Sequence, residues 1–233
     1  MKIKVCGMRD VDNAWQVAQL GVDMMGFIFY PKSPRYFGDC MEREFPLPRK
    51  KNGELVERVG VFVNDTFENI NTGSLCLGLD GVQFHGSESP DYCKRFREYH
   101  ENSLYGHIRP FLQKDGGCSA EPFKLIKAIS VSTAEDIQKY KEYVGAVDYF
   151  LFDTKCKAYG GSGEQFDWSV LDAYDGDVPF LLSGGIGPED AERVKEFHHP
   201  MCIGIDLNSK FEVEPGLKNV EKLGRFISQI RGI

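Results

Sequence analysis

Residues 151–168 read LFDTKCKAYGGSGEQFDW. They are entered from Val147-Asp148-Tyr149-Phe150, so an apolar run of strand composition delivers a carboxylate, Asp153, at its end. A loop with Gly160, Gly161 and Gly163 around Ser162 comes next. Phe166-Asp167-Trp168 then returns to ordered structure, with Asp167 positioned to cap a short segment, Trp168–Tyr174. A strand ending in an acid, a pliable loop and a helix start is how α/β enzymes present a general acid to a small molecule. The same residues suit an ordinary strand–turn–helix whose aspartate only caps the turn. The rest of the chain decides between the two.

The pattern repeats on both sides of this stretch. Upstream, apolar runs rich in β-branched and aromatic residues end near Cys6, Tyr30, Val63, His85 and Ser130, and downstream others end near Ser183 and Asp206. Met24–Tyr30, MMGFIFY, is unbroken in its apolarity, as a strand covered on both faces requires. Between the runs lie helix signals: Ala14–Leu20, Phe67–Thr72, a helix through Tyr99 with Ser89 as cap and Pro90 first, Thr133–Tyr143, Glu189–Phe197 and Leu217–Ile230. Eight strands in strict alternation with helices predict a single α/β domain over 1–233, a closed (β/α)8 TIM barrel, with an open doubly wound sheet as the alternative. Two stretches fall outside the rhythm. Gly38–Arg58 holds Pro46, Pro48 and Asn52-Gly53, and Glu101–Pro122 holds Gly106, Pro110 and Gly116-Gly117. Both read as irregular insertions, near 38–58 and 101–122.

Composition sets outer bounds. At 233 residues with 42% apolar content the chain can bury the core of one barrel. No apolar run reaches membrane-spanning length. Met1–Val5 enters a strand directly, without a signal-peptide core, which points to a cytoplasmic protein. The seven cysteines are scattered and contain no C-x-x-C, so neither a disulfide framework nor a zinc site is indicated. A net charge of -7 without a basic stripe argues against nucleic acid as a partner. It leaves room for a phosphorylated small molecule, because backbone N–H groups can hold an anion.

In such a barrel, chemistry gathers at the C-terminal ends of strands. The polar residues there are Cys6, Arg35, His85, Asp153, Ser183-Gly184-Gly185 and Asp206 with Ser209. Gly184 and Gly185 leave N–H groups unobstructed, and Asn208-Ser209-Lys210 suits the start of a short extra helix, so these two loops are the phosphate candidates. Glycine turns after strands are also simply turns. Cys6 reads either as a small buried hydrophobe or as a thiolate acting as base or nucleophile, which needs positive neighbours or N–H groups to bring its pKa down from about 8.5. Arg35 offers a fork for a carboxylate or is a solvated loop residue. His85 can donate to a substrate or be a structural histidine.

With those residues assembled, the chain resembles the phosphoribosylanthranilate isomerase family. The resemblance rests on KVCGM at 4–8, GFIFYPKSPRY at 26–36, VGVFVN at 59–64, VQFHG at 82–86, LFDTK at 151–155, GGSGEQFDW at 160–168, LSGGI at 182–186 and IDLNS at 205–209. It implies a TIM barrel that carries out an Amadori rearrangement in tryptophan biosynthesis, with Asp153 as general acid, Cys6 as general base and no cofactor or metal. It further implies Arg35 on the anthranilate carboxylate, Gly184, Gly185 and Ser209 on the phosphate, and His85 and Asp206 contacting or orienting the substrate. The family often has glycine where this chain has Lys210, which would strain the backbone if that position required positive φ. Two other readings compete. The related isomerase of histidine biosynthesis has an aspartate at the end of its first strand and two similar halves, whereas here that strand ends in Cys6. A phosphate-binding barrel without catalysis would not need both proton-transfer candidates.

Overall fold

The computed structural model describes residues 1–38, 48–154 and 167–232. Eight parallel strands close on themselves in chain order: β1 (Lys2–Cys6), β2 (Met24–Ile28), β3 (Glu57–Phe62), β4 (Gly81–Phe84), β5 (Lys124–Val131), β6 (Tyr149–Thr154), β7 (Phe180–Leu182) and β8 (Cys202–Leu207). Closure is made by β1 against β8, with Lys4 opposite Asp206. A barrel without edges is therefore the fold, and the open sheet is excluded. Among the described residues no helix is long and apolar enough to cross a membrane.

Helices α1 (Val11–Ala18), α2 (Phe67–Leu77), α3 (Pro90–Glu101), α4 (Leu104–Lys114), α5 (Ala134–Ile137), α6 (Ala191–Glu196) and α7 (Val220–Arg231) lie among the connections. Local chemistry explains where they begin. Asp10, Thr66, Ser89, Ser103 and Asn219 each accept a hydrogen bond from a backbone N–H three residues on, satisfying a donor the helix cannot. Asp167 caps as expected, but the segment it opens is a 3-10 helix, Trp168–Ala173. The segment expected as helix over Thr133–Tyr143 is α5 continued by a 3-10 stretch, Gln138–Tyr143. Leu217 and Lys218, expected in the last helix, instead form β10, which pairs antiparallel with β9 (Glu212–Glu214). The turn between them, Pro215-Gly216, ends helical structure until Asn219 restarts it.

The stretch 101–122 departs from its reading as irregular. It holds α4, with Pro110 inside it. Gly106 is needed there because a Cβ would meet the carbonyl oxygen of His100 at 2.1 Å, so α4 leaves α3 too closely for any side chain. Tyr105 donates to Leu79 O at 2.6 Å and Arg109 to Asp80 at 3.2 Å, which fixes α4 beside the start of β4. Of the other irregular stretch, 39–47 lies outside the described residues. Its remainder forms a turn bridged by Arg49 and Leu55 before β3.

Two apolar layers result. The barrel wall packs outward on the helices through residues such as Val5, Phe27, Phe62, Phe84, Phe150 and Leu182. The lumen is filled by Met24, Val59, Ile126, Ala128, Leu151 and Leu181. Side chains alternate along a strand, so residues in register with this inner set also face inward.

Candidate active site

Register places the site. Lys4 is opposite Met24 and Cys6 opposite Gly26, so both face the lumen from β1. Gln83 lies opposite Ile126, which turns His85, two residues on, inward from the end of β4. Asp153 shares the parity of Leu151 on β6, and Asp206 that of Lys4 on its neighbour β8. Four residues chosen from the sequence thus meet at one end of the barrel.

Cys6 is buried, and it packs against Gly26 of the neighbouring strand. A Cβ on Gly26 would stand 2.6 Å from its Sγ, so that glycine is the space the thiol occupies. Beneath it, two residues back on the same face of β1, the Lys4 ammonium is fully buried and donates to Asp206 Oδ1 at 2.9 Å. Burial pushes the Cys6 thiol up; Lys4 pulls it down, Asp206 pushes it up, Lys218 pulls it down, and the balance lies above the ordinary value. The sequence-based requirement for positive neighbours is met by two lysines, but they do not by themselves outweigh burial. Lys4 is pulled down by burial, yet Asp206 and then Cys6 hold it above its usual value. Burial likewise raises the Asp206 carboxyl against the pull of Lys4.

Across the lumen, His85 Nε2 lies 3.4 Å from Asp153 Oδ2, and the Thr154 N–H donates to Asp153 Oδ1 at 2.9 Å. The Gln83 side-chain amide nitrogen lies 3.0 Å from His85 Nδ1. If it donates there, the imidazole proton resides on Nε2, facing the carboxyl.

Arg35 is neither solvated nor unengaged. It is buried, and its Nε and Nη2 are clamped by Glu212 at 2.8 and 2.6 Å. Glu212 also accepts from Lys218 Nζ at 2.7 Å, and Lys218 donates to Asn208 Oδ1 at 2.8 Å. Burial would raise the Glu212 carboxyl, but Arg35 and Lys218 outweigh it and hold it below the usual range. Gly7, at φ +81°, makes this convergence possible: a Cβ there would stand 2.7 Å from Arg35 Cδ, 2.9 Å from Asn208 Oδ1 and 3.5 Å from Lys218 Nζ.

Beyond β7, Gly184 and Gly185 have φ of 94° and 69°, the left-handed region open to glycine. Ser209 opens a single 3-10 turn, Ser209–Phe211, after the adjacent β8, where a short extra helix is expected from the sequence. Lys210 is exposed and does not take positive φ, so it carries none of the strain that such a conformation would bring. The glycine loop around Ser162, with Cys156, lies outside the described residues.

Sequence reasoning missed Lys4, Gln83, Gly26, Glu212 and Lys218. Lys4 had a signal: in KIKVC it shares the parity of Cys6, so an inward Cys6 implies an inward lysine. Glu212 and Lys218 had none, since only the β9–β10 hairpin brings them to Arg35.

Comparison with known proteins bears on the family of the chain. The family model described as N-(5'phosphoribosyl)anthranilate (PRA) isomerase matches residues 3–103 and 118–229. Its interruption, 104–117, spans the whole of α4. An N-(5'-phosphoribosyl)anthranilate isomerase of Parabacteroides distasonis is 46% identical over 230 residues, covering 99% of this chain and 93% of that protein. One from Thermotoga neapolitana is 33% identical, with both chains covered in full. A crystal structure of phosphoribosyl anthranilate isomerase in complex with reduced 1-(o-carboxyphenylamino)-1-deoxyribulose 5-phosphate superimposes with a TM-score of 0.74 at 28% identity, again with full coverage of both. The chain belongs to the N-(5'-phosphoribosyl)anthranilate isomerase family.

Proposed function

We propose that the chain converts N-(5-phosphoribosyl)anthranilate to 1-(2-carboxyphenylamino)-1-deoxy-D-ribulose 5-phosphate, the Amadori rearrangement of tryptophan biosynthesis. One observation carries the reading beyond family membership. Cys6 and Asp153, far apart in sequence, face the same lumen from the C-terminal ends of β1 and β6.

Asp153 protonates the ring oxygen of the aminofuranose, and the ring opens to a Schiff base between C1 and the anthranilate nitrogen. The Asp153 carboxyl lies 3.4 Å from His85 Nε2 on one side and accepts from the Thr154 N–H on the other. The cationic Schiff base makes the C2 proton acidic. Cys6, as thiolate, removes it, and the electron pair moves to give an enolamine that tautomerises to the ketone. Gly184, Gly185 and Ser209 hold the phosphate through backbone N–H groups. Arg35 takes the anthranilate carboxylate, and Asp206 contacts or orients the substrate. No step calls for a redox cofactor, a metal or a nucleic acid. The chain acts as one barrel domain in the cytoplasm.

The test is a progress curve with freshly generated phosphoribosylanthranilate, monitoring loss of its anthranilate-type fluorescence. Fast loss is expected in the wild type only, with the product identified by mass and retention against a standard. Loss no faster than in a Cys6→Ala/Asp153→Ala control would refute the reading.

A further inference from the structure

The inner wall of the barrel is apolar at its middle level, built from Met24, Val59, Ile126, Leu151 and Leu181, and Lys4 stands among them. Lys4 has no exposed surface and lies in register with Met24 on one side and Asp206 on the other. A buried lysine–carboxylate pair is a poor way to stabilise a fold, because desolvating both charges offsets most of their attraction; a methionine would fill the same volume. The ammonium donates to Asp206 Oδ1 at 2.9 Å, Lys4 and Cys6 face the lumen two residues apart on β1, and the Cys6 sulfur stands against Gly26 on the next strand.

We propose that Lys4 is a positioning residue for catalysis, its ammonium held by Asp206 directly beneath Cys6 so that the negative charge formed on Sγ is stabilised. This rests on the assignment of Cys6 as the base. When the thiol ionises, its proton leaves through the barrel mouth and the electron pair stays on sulfur. That pair then takes the C2 proton of the Schiff base, returning Cys6 to the thiol. Asp206 sets the strength of the arrangement: it anchors Lys4, and its own charge opposes ionisation of Cys6.

The groups facing Cys6 from all sides define what must be separated. Lys4 lies below on the same strand, Asp206 beside it on β8, and Lys218 approaches from β10 with Glu212 and Arg35 behind it. Asp153 and His85 act on Asp206 from across the lumen. Lys4 and Asp206 pull Cys6 in opposite directions. Damage to the fold alone would not reproduce opposite signs.

The experiment measures the pH dependence of iodoacetamide alkylation of the Cys6 peptide, read by mass, in the folded enzyme. Lys4→Met is expected to move the profile to alkaline pH, with alkylation near neutrality falling about tenfold or more, since each pKa unit is a tenfold change in thiolate. Asp206→Asn, which keeps Lys4, is expected to move it to acid pH. In turnover, Lys4→Met is expected to lower kcat with KM little changed and to shift the kcat–pH profile the same way as the alkylation profile. Should Lys4→Met not fold, Lys4→Met/Asp206→Asn, which buries no unpaired charge, replaces it and is expected alkaline of Asp206→Asn. Profiles that coincide with the wild type, or that move in the same direction in both single variants, overturn the inference, as does coincidence of the double variant with Asp206→Asn. Opposite shifts in an enzyme that fails the progress-curve test would support the Lys4–Cys6 coupling while refuting the isomerase reading.

Discussion

Glu212 holds Arg35 by both Nε and Nη2, at 2.8 and 2.6 Å, so the arginine assigned to a substrate carboxylate already grips one belonging to the chain. The fork is thereby oriented before any ligand arrives, and Nη1 is the nitrogen left to donate among the described residues. Replacing Arg35 with alanine removes a charge-assisted contact of about 1.5–3 kcal/mol. The expected outcome is a KM roughly 10- to 100-fold higher with a smaller change in kcat, since a carboxylate remote from C1 and C2 is bound equally in ground and transition states. Initial-rate kinetics decide it, and an unchanged KM would remove the clamp.

Glu212→Gln tests the other half of the pair. It leaves Lys218 and Arg35 buried against a neutral amide, and disruption of a buried ion network typically costs about 3 kcal/mol or more. Urea unfolding is expected to show that loss. Stability equal to the wild type would mean that the three groups are compensated by water.

Cys6→Ser and Asp153→Asn each withdraw a proton-transfer group and are expected to lower kcat by about 10²-fold or more. Near-normal turnover in either would strip that residue of its role.

Gly26→Ala should displace the proposed base without substituting it. The added methyl group would stand 2.6 Å from Sγ, too close for both to keep their places. A displacement of about 1 Å in a reacting group costs on the order of 10²-fold. Turnover is the readout, alongside circular dichroism to verify folding; full activity would show that Sγ can work from another rotamer.

His100 gives the fold a pH dependence remote from the site. Burial first, then Arg109 and Arg97, lower its pKa to about 4, and its ring stacks on Phe123 at 3.8 Å. The folded protein therefore keeps it neutral, while the unfolded chain takes a proton below about 6.5. The stability this provides is complete above that pH and is lost as pH falls toward 4, amounting to about 2 kcal/mol between pH 7 and pH 5. His100→Phe should flatten the pH dependence of unfolding in that window by about this amount. Parallel curves would show that His100 is protonated in the fold.

The strands were legible because each is buried on both faces and must be apolar nearly throughout, as MMGFIFY is. Their ends exposed Cys6, His85, Asp153 and Asp206 as candidates, and closure of the barrel brought them together. What sequence could not show is what closure alone creates. Lys4 and Asp206 are 202 residues apart and meet only because β1 pairs with β8. Helix α4 was hidden for a different reason. Gly106 and Pro110 carry the local signature of a break, but Gly106 is demanded by the approach to His100, and Tyr105 and Arg109 supply anchors no local rule weighs.

That helix also divides the molecule into regions under unequal constraint. Its anchors, Leu79 and Asp80, immediately precede β4, at the floor of the barrel opposite the mouth where Cys6 and Asp153 meet. The family match is interrupted over 104–117, the stretch that holds α4. The floor is thus the end at which a tether or a second protein can be attached farthest from the candidate site, at exposed positions of α4 such as Phe111 rather than at Gly106, which admits no side chain.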